Sequence, residues 1–239
     1  MLLGIDTSGD GNIQVAEAAA VTVLNLSNQS IANLTGLEYF VNLTNLNLSS
    51  NTFSALNLTT LNNLQHLNCG GTNNLTQLDV SPCPQLLDIN VTGNHFTGID
   101  LSSCPLLQSA TVGGGSTGNT FTSLNVSGLG NLQSLIITWG TLSALDLNGL
   151  VSLAHFENRC KVPTLDFTGC PAIIDIESSY CHLQSLDVSG CTNLQAVTAT
   201  SNDLTTINVS GCVALVDLIL TNNDLTSIDI SGLTSIQYT

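Results

Sequence analysis

Apolar residues recur along this chain in one phrase, L-x-x-L-x-L. Its first position falls at Val21, Leu43, Leu64, Leu86, Leu107, Leu132, Leu153, Ile173, Leu194 and Leu215. The intervals are 22, 21, 22, 21, 25, 21, 20, 21 and 21 residues. Such near-constant spacing marks stacked repeat units, each too small to bury its own apolar face alone. Within a unit, two short stretches alternate apolar and polar residues. One reads "LTNLNLSSN", with Leu43, Leu46, Leu48 and Asn51, and the other "LTSIDISGL", with Leu225, Ile228 and Ile230. Alternation over so few positions predicts strands that bury every second side chain. Asn, Gly, Ser and Thr between them predict tight turns. The pattern therefore predicts a β-rich solenoid of ten coils, about 21 residues each, with short parallel strands on both faces.

Residues 21–239 resemble the leucine-rich-repeat family. Within it they are most similar to internalin-like proteins and to secreted Bacteroidota repeats, which share phrases such as "LQSLDVSGC" at 183–191. The resemblance implies that the first stretch of each coil forms a concave parallel sheet. The family's asparagine position is matched by Asn51, Asn94, Asn202 and Asn223 and is taken by Gln29, Thr72, Gly115, Gly140 and Cys181 elsewhere. An interrupted hydrogen-bonding ladder is implied. Strands stack about 4.8 Å apart and helices roughly 8–10 Å. Extended segments on both faces shrink that mismatch, so a nearly straight, slightly twisted rod is expected.

Residues 1–20 stand outside the repeat and read as a cap. Residues 6–17, "DTSGDGNIQVAE", place Asp6, Ser8 and Asp10 at alternate positions, Gly11 at a sharp turn, and Glu17 at the close. This is similar to the twelve-residue calcium loop of EF-hands and dockerins, in which alternate oxygens converge on the ion. On that reading Asn12 offers its backbone carbonyl, Gln14 acts through water, and "VAEAAAV" forms a short exit helix. The alternative is a metal-free Asp/Gly turn. The start shows no signal peptide, and Ile236 to Thr239 open an eleventh unit that breaks off. The native protein is expected to continue, with Ile236 extending the first sheet beside Leu215.

Two columns need interpretation once the coils are overlaid. Cys83, Cys104, Cys170, Cys191 and Cys212 alternate in one column with Leu129, Leu150 and Leu233, so buried free thiols are expected there, as at Cys69. Cys160 and Cys181 lie one coil apart at a turn, a spacing compatible with a disulfide or, with His182, a zinc site. The second column, Asn57, Asp79, Asp100, Asn125, Asp146, Asp166, Asp187, Asn208 and Asp229, points outward. Stacked carboxylates repel, so either each accepts a bond from the following turn or the stripe binds calcium or a partner.

Charge narrows the partners. Seventeen acidic residues stand against two basic ones, Arg159 and Lys161, for a net charge of −15. Such a surface repels nucleic-acid backbones and anionic lipid. Mean hydropathy is positive, yet no apolar run approaches the roughly 18 residues of a membrane span. Both cations fall in coils six and seven with the single tryptophan, Trp139. Ile136, His155, Glu157, Asp175, Glu177 and Tyr180 are placed on the exposed first-sheet face nearby, and two inward positions turn polar at Asn158 and Ser178. Tryptophan, tyrosine and arginine are the residues enriched where binding energy concentrates. No nucleophile, base and orienting partner recur together, so no catalysis is expected. The expected role is extracellular recognition or adhesion, binding a protein or carbohydrate through coils six to eight. The other reading is a stalk or filament subunit that associates end to end.

Overall fold

A computed structural model describes residues 4–71, 74–114 and 121–236. The loop at the start leads into a short helix, Val15–Ala20, and a 3-10 turn follows at Leu37–Tyr39. Every other described element is a strand. Ten parallel strands form the first sheet: Val23–Asn25, Asn45–Asn47, His66–Asn68, Asp88–Asn90, Ser109–Gly113, Ser134–Thr138, His155–Asn158, Asp175–Glu177, Ala196–Thr198 and Asp217–Ile219. Their register is in step, so Leu24, Leu46, Leu67, Ile89, Ala110, Leu135, Phe156, Ile176, Val197 and Leu218 make one inward column. The solenoid expected from the repeat is thus formed, one strand of this sheet per coil.

The second face is less regular than expected. Ladders join Gly98–Asp100 to Ser123–Asn125, and Thr164–Asp166 to Ser185–Asp187 and Thr206–Asn208. In other coils the extended segments touch through isolated bonds, such as Thr52 N–H to the Ile31 carbonyl at 2.9 Å. Each segment must enter a turn after about three residues, which leaves few backbone groups for a ladder. The turn is fixed by the outward Asp/Asn column. Each of its nine members accepts the N–H two residues on, from Thr59 on Asn57 at 3.0 Å to Ser231 on Asp229 at 2.8 Å. The column's carboxylates are turn-formers, and bonds from Ser81, Ser102 and Ser231 hold the carboxyl pKa of Asp79, Asp100 and Asp229 below its ordinary value.

The core is a stack of buried leucines together with Phe53, Phe96, Phe121, Phe156 and Phe167. All eight cysteines are buried and free, and desolvation raises the pKa of each thiol, that of Cys191 to about 12. In the shared column each thiol turns to a carbonyl of an earlier coil, for instance Cys212 to Val188 at 3.0 Å and Cys191 to Phe167 at 3.4 Å. Cys181 likewise donates to the Asn158 carbonyl at 3.1 Å, so it is not bridged to Cys160. The asparagine ladder is interrupted as the resemblance implied. Asn51 accepts from Gln29 and Ile31 and donates to the Leu26 and Leu48 carbonyls, tying two coils together. Asn94, Asn202 and Asn223 repeat the arrangement. Thr72 and the Gly115–Thr120 insertion lie outside the described residues. At the far end Ile236 packs against the last coil but joins no strand. Residues 237–239, which the expected eleventh strand would need, also lie outside.

Candidate ligand-binding site

The first sheet ends, in most coils, on one residue with left-handed backbone. Asn28, Ser50, Gly71, Gly93, Ser201 and Asn222 hold this place, with φ between 55° and 72°. These residue types tolerate that conformation, which crowds a larger side chain against its own carbonyl. In coil six the place is taken by Trp139, φ 44°, and in coil eight by Tyr180, φ 62°. Neither is driven there by burial, since Trp139 is 50% exposed and Tyr180 75%. Coil seven lacks the residue altogether. Its strand runs from Asn158 through Arg159 directly to Cys160, which packs against Gly140. Arg159 is therefore set on the short coil between two strained, exposed aromatics.

Beneath this rim lies the sheet face. Ile136, Glu157 and Glu177 are aligned on successive strands, and so are Ser134, His155 and Asp175. Together with Phe156 they line a shallow hollow of about 110 Å³. Arg159 donates to Glu157 at 2.6 Å, and His155 pairs with Asp175 across the strands. A similar pair joins His182 to Asp203 at 3.0 Å. The expected residues thus come together except for Lys161. It lies past the corner, bridged to Thr141, with its N–H on the Gly140 carbonyl at 3.0 Å. Inside, the buried Asn158 and Ser178 bond each other at 3.2 Å, and Asn158 also accepts the Cys160 N–H. This network stands in for the asparagine ladder at the coils where glycine and cysteine replace it. Sequence reasoning named these residues but missed the backbone position that Trp139 and Tyr180 share. Aligning the residue before the asparagine column would have shown two aromatics among Asn, Ser and Gly.

The cap loop is the second site. Ser8 bonds Asp6 at 3.1 Å and Gln14 at 3.2 Å, and Gln14 bonds Asp10 at 2.6 Å, so these four side chains are gathered. Asp6 also accepts the Gly9 and Gly11 N–H groups at 2.6 and 2.9 Å. Exposed hard oxygens in this order suit a calcium ion. Glu17 stands apart from them, accepting from Thr7, Ser8 and Gln14 at 2.7–3.0 Å. Among the described residues no three acidic, histidine or cysteine side chains yet converge on one point. The Gln14 N–H first, then Thr7 and Ser8, hold Glu17 down to about 2, and the Gly11 N–H chiefly holds Asp6 below its ordinary value. A lowered folded value means stability present above about 4.5 and lost as pH falls toward 2. Protection of the Ala18 and Val21 amides, taken relative to their intrinsic exchange at each pH, should therefore fall across that window, and Glu17→Gln should abolish most of that fall.

Among solved structures the chain is similar to the functional domain of InlJ from Listeria monocytogenes, at 23% identity and TM-score 0.64, covering 94% of this chain and 59% of that one. It is also similar to a leucine-rich-repeat protein of Leptospira interrogans, at 21% identity and TM-score 0.76, covering 93% and 60%. An internalin of Listeria monocytogenes, InlF, aligns at 17% identity and TM-score 0.65, covering 98% and 78%. The chain has the leucine-rich-repeat fold. It spans about three fifths of the length of the first two structures. No family model matches it, and no curated protein matches its sequence. The InlJ domain includes a cysteine ladder, and the present leucine-rich-repeat solenoid stacks its own cysteines coil on coil. A separate apolar hollow, about 410 Å³, lies where the cap meets the first coil, lined by Ile5, Ile13, Leu24, Leu34 and Phe40 among others. Among the described residues it is lined by no charged group, and it is remote from the rim of this leucine-rich-repeat sheet.

Proposed function

We propose that this chain is a non-enzymatic recognition or adhesion module of an extracellular or cell-surface protein, gripping a protein or glycan at coils six to eight. The observation that carries the reading is the placement of Trp139 and Tyr180, exposed and in left-handed backbone, where other coils carry Asn, Ser or Gly. Residues held in strained backbone cluster at ligand clamps and other functional sites. Two aromatics around an arginine match the composition of binding hot spots. The net charge of −15 disfavours nucleic acid and anionic lipid as partners. No helix among the described residues is long and apolar enough to cross a membrane.

The test is an array of glycans and extracellular proteins probed with the wild-type chain and with Trp139→Asn/Tyr180→Asn. Ligands lost in the double variant support the site. Ligands that all bind the variant equally well overturn it.

We also infer that calcium binds the cap loop, held by Asp6, Ser8, Asp10 and Gln14 with the Asn12 carbonyl, and with Glu17 closing the loop. The ion would neutralise carboxylates that otherwise rely on loop N–H groups, fixing the helix Val15–Ala20 over the apolar end of coil one. Calcium should raise the melting temperature by several degrees over chelator. Glu17→Gln should erase the difference. Identical melting of the wild type in calcium and chelator would leave the loop a turn only.

A further inference from the structure

The rim also indicates which chemistry it receives, if the recognition reading above holds. Trp139 and Tyr180 occupy equivalent places in coils six and eight, and two coil steps along a parallel sheet span roughly 10 Å. Their separation runs along the solenoid axis. Between them coil seven is short by the one residue that would otherwise project, and Arg159 stands there instead, tied to Glu157 at 2.6 Å. Arg159 is ion-paired with Glu157, and Asp175 and Asp203 bond the rings of His155 and His182, while Glu177 has no cation among the described ion pairs and the chain carries a net charge of −15. The rim thus offers two aromatic platforms with hydrogen-bond donors and acceptors on a negative surface that repels anionic ligands.

We propose that this rim binds an extended, uncharged β-1,4-linked glycan lying along the solenoid axis. In such a chain successive pyranose rings are turned over, so alternate rings present the same face at about the spacing of the two aromatics. The C–H faces of two alternate rings stack on Trp139 and Tyr180, whose π faces carry partial negative charge. The ring between them enters the gap over coil seven, where Arg159 donates to hydroxyl oxygens and Glu157 accepts from hydroxyl groups.

Trp139 is the only tryptophan in the chain, so fluorescence excited selectively at tryptophan reports this site alone. The experiment titrates the full chain with β-1,4-linked glucose and N-acetylglucosamine oligomers of two to six residues. Binding should shift the emission to the blue, and affinity should step upward between two and three residues, the shortest length that reaches both aromatics. Tyr180→Asn should remove the step and weaken the trimer by at least roughly 30-fold. Asp100→Ala, on the opposite face, should leave the titration unchanged. No response to any oligomer, a response without a length step, or a trimer affinity that survives Tyr180→Asn would overturn the proposal. If the array instead yields a protein ligand that the double variant loses, the glycan assignment fails while the recognition site stands. If no ligand depends on the two aromatics, both fail.

Discussion

Asn202→Ala is expected to destabilise the C-terminal half of the solenoid by about 2–6 kcal/mol. Asn202 is buried, and its side-chain oxygen accepts the Cys181 and Leu183 N–H groups at 2.8 and 3.1 Å. Its amide donates to the Ser178 carbonyl at 2.6 Å. Alanine supplies none of these partners, and the space is too closed for water to replace them freely. Each orphaned buried donor costs about 1–3 kcal/mol, and two donors set the range. Because coils unfold as a linear array rather than all at once, the cost is best read by amide exchange in coils eight to ten. Asn223→Ala is the internal control. Asn223 is only partly buried, and its oxygen accepts from Leu204 at 3.1 Å, so its loss should cost clearly less. Equal costs would mean that the interior ladder is not what holds neighbouring coils together.

The rim is expected to show the opposite relation between stability and binding. Tyr180→Asn should leave the fold as stable or more stable by up to about 1 kcal/mol, since a bulky L residue in left-handed backbone carries roughly 1–2 kcal/mol of strain that asparagine partly relieves. Asn28 and Asn222 already serve in that place. The same change should remove at least about 2 kcal/mol of ligand affinity, as truncation of an aromatic hot spot does. Trp139→Asn should behave alike, and Arg159→Ala should lose affinity without the gain in stability, because Arg159 is not in left-handed backbone. Thermal melts beside the array binding separate the two effects. A variant that melts markedly lower would show that the aromatic supports the coil, and the strain would then have a structural explanation.

The periodicity was sufficient for the architecture because every coil repeats the same burial decision. Leu43, Leu64 and Leu86 are each wholly buried, and a side chain that must be buried in nine successive turns, with Val21 partly buried before them, leaves one register open. Interchange of Cys83 and Cys191 with leucines placed the thiols inside for the same reason. The outward carboxylates left two readings, and local geometry chose between them. A carboxylate that accepts the N–H two residues later is set by backbone dihedrals, which residue types alone only favour.

What the sequence could not show is where neighbouring coils fall out of step. It marked coil seven as one residue short. Only the stacked coils locate the missing residue at the left-handed rim position, between Trp139 and Tyr180. A deletion in a solenoid is absorbed where backbone is least tied to its neighbours, and that depends on inter-coil bonds such as Lys161 N–H to the Gly140 carbonyl. Likewise the side chains of Asp6, Ser8, Asp10 and Gln14 bond one another, while Glu17 turns to the loop's own N–H groups. Spacing determines which side chains can converge. Competition among nearby hydrogen-bond donors, settled only in three dimensions, decides which of them do.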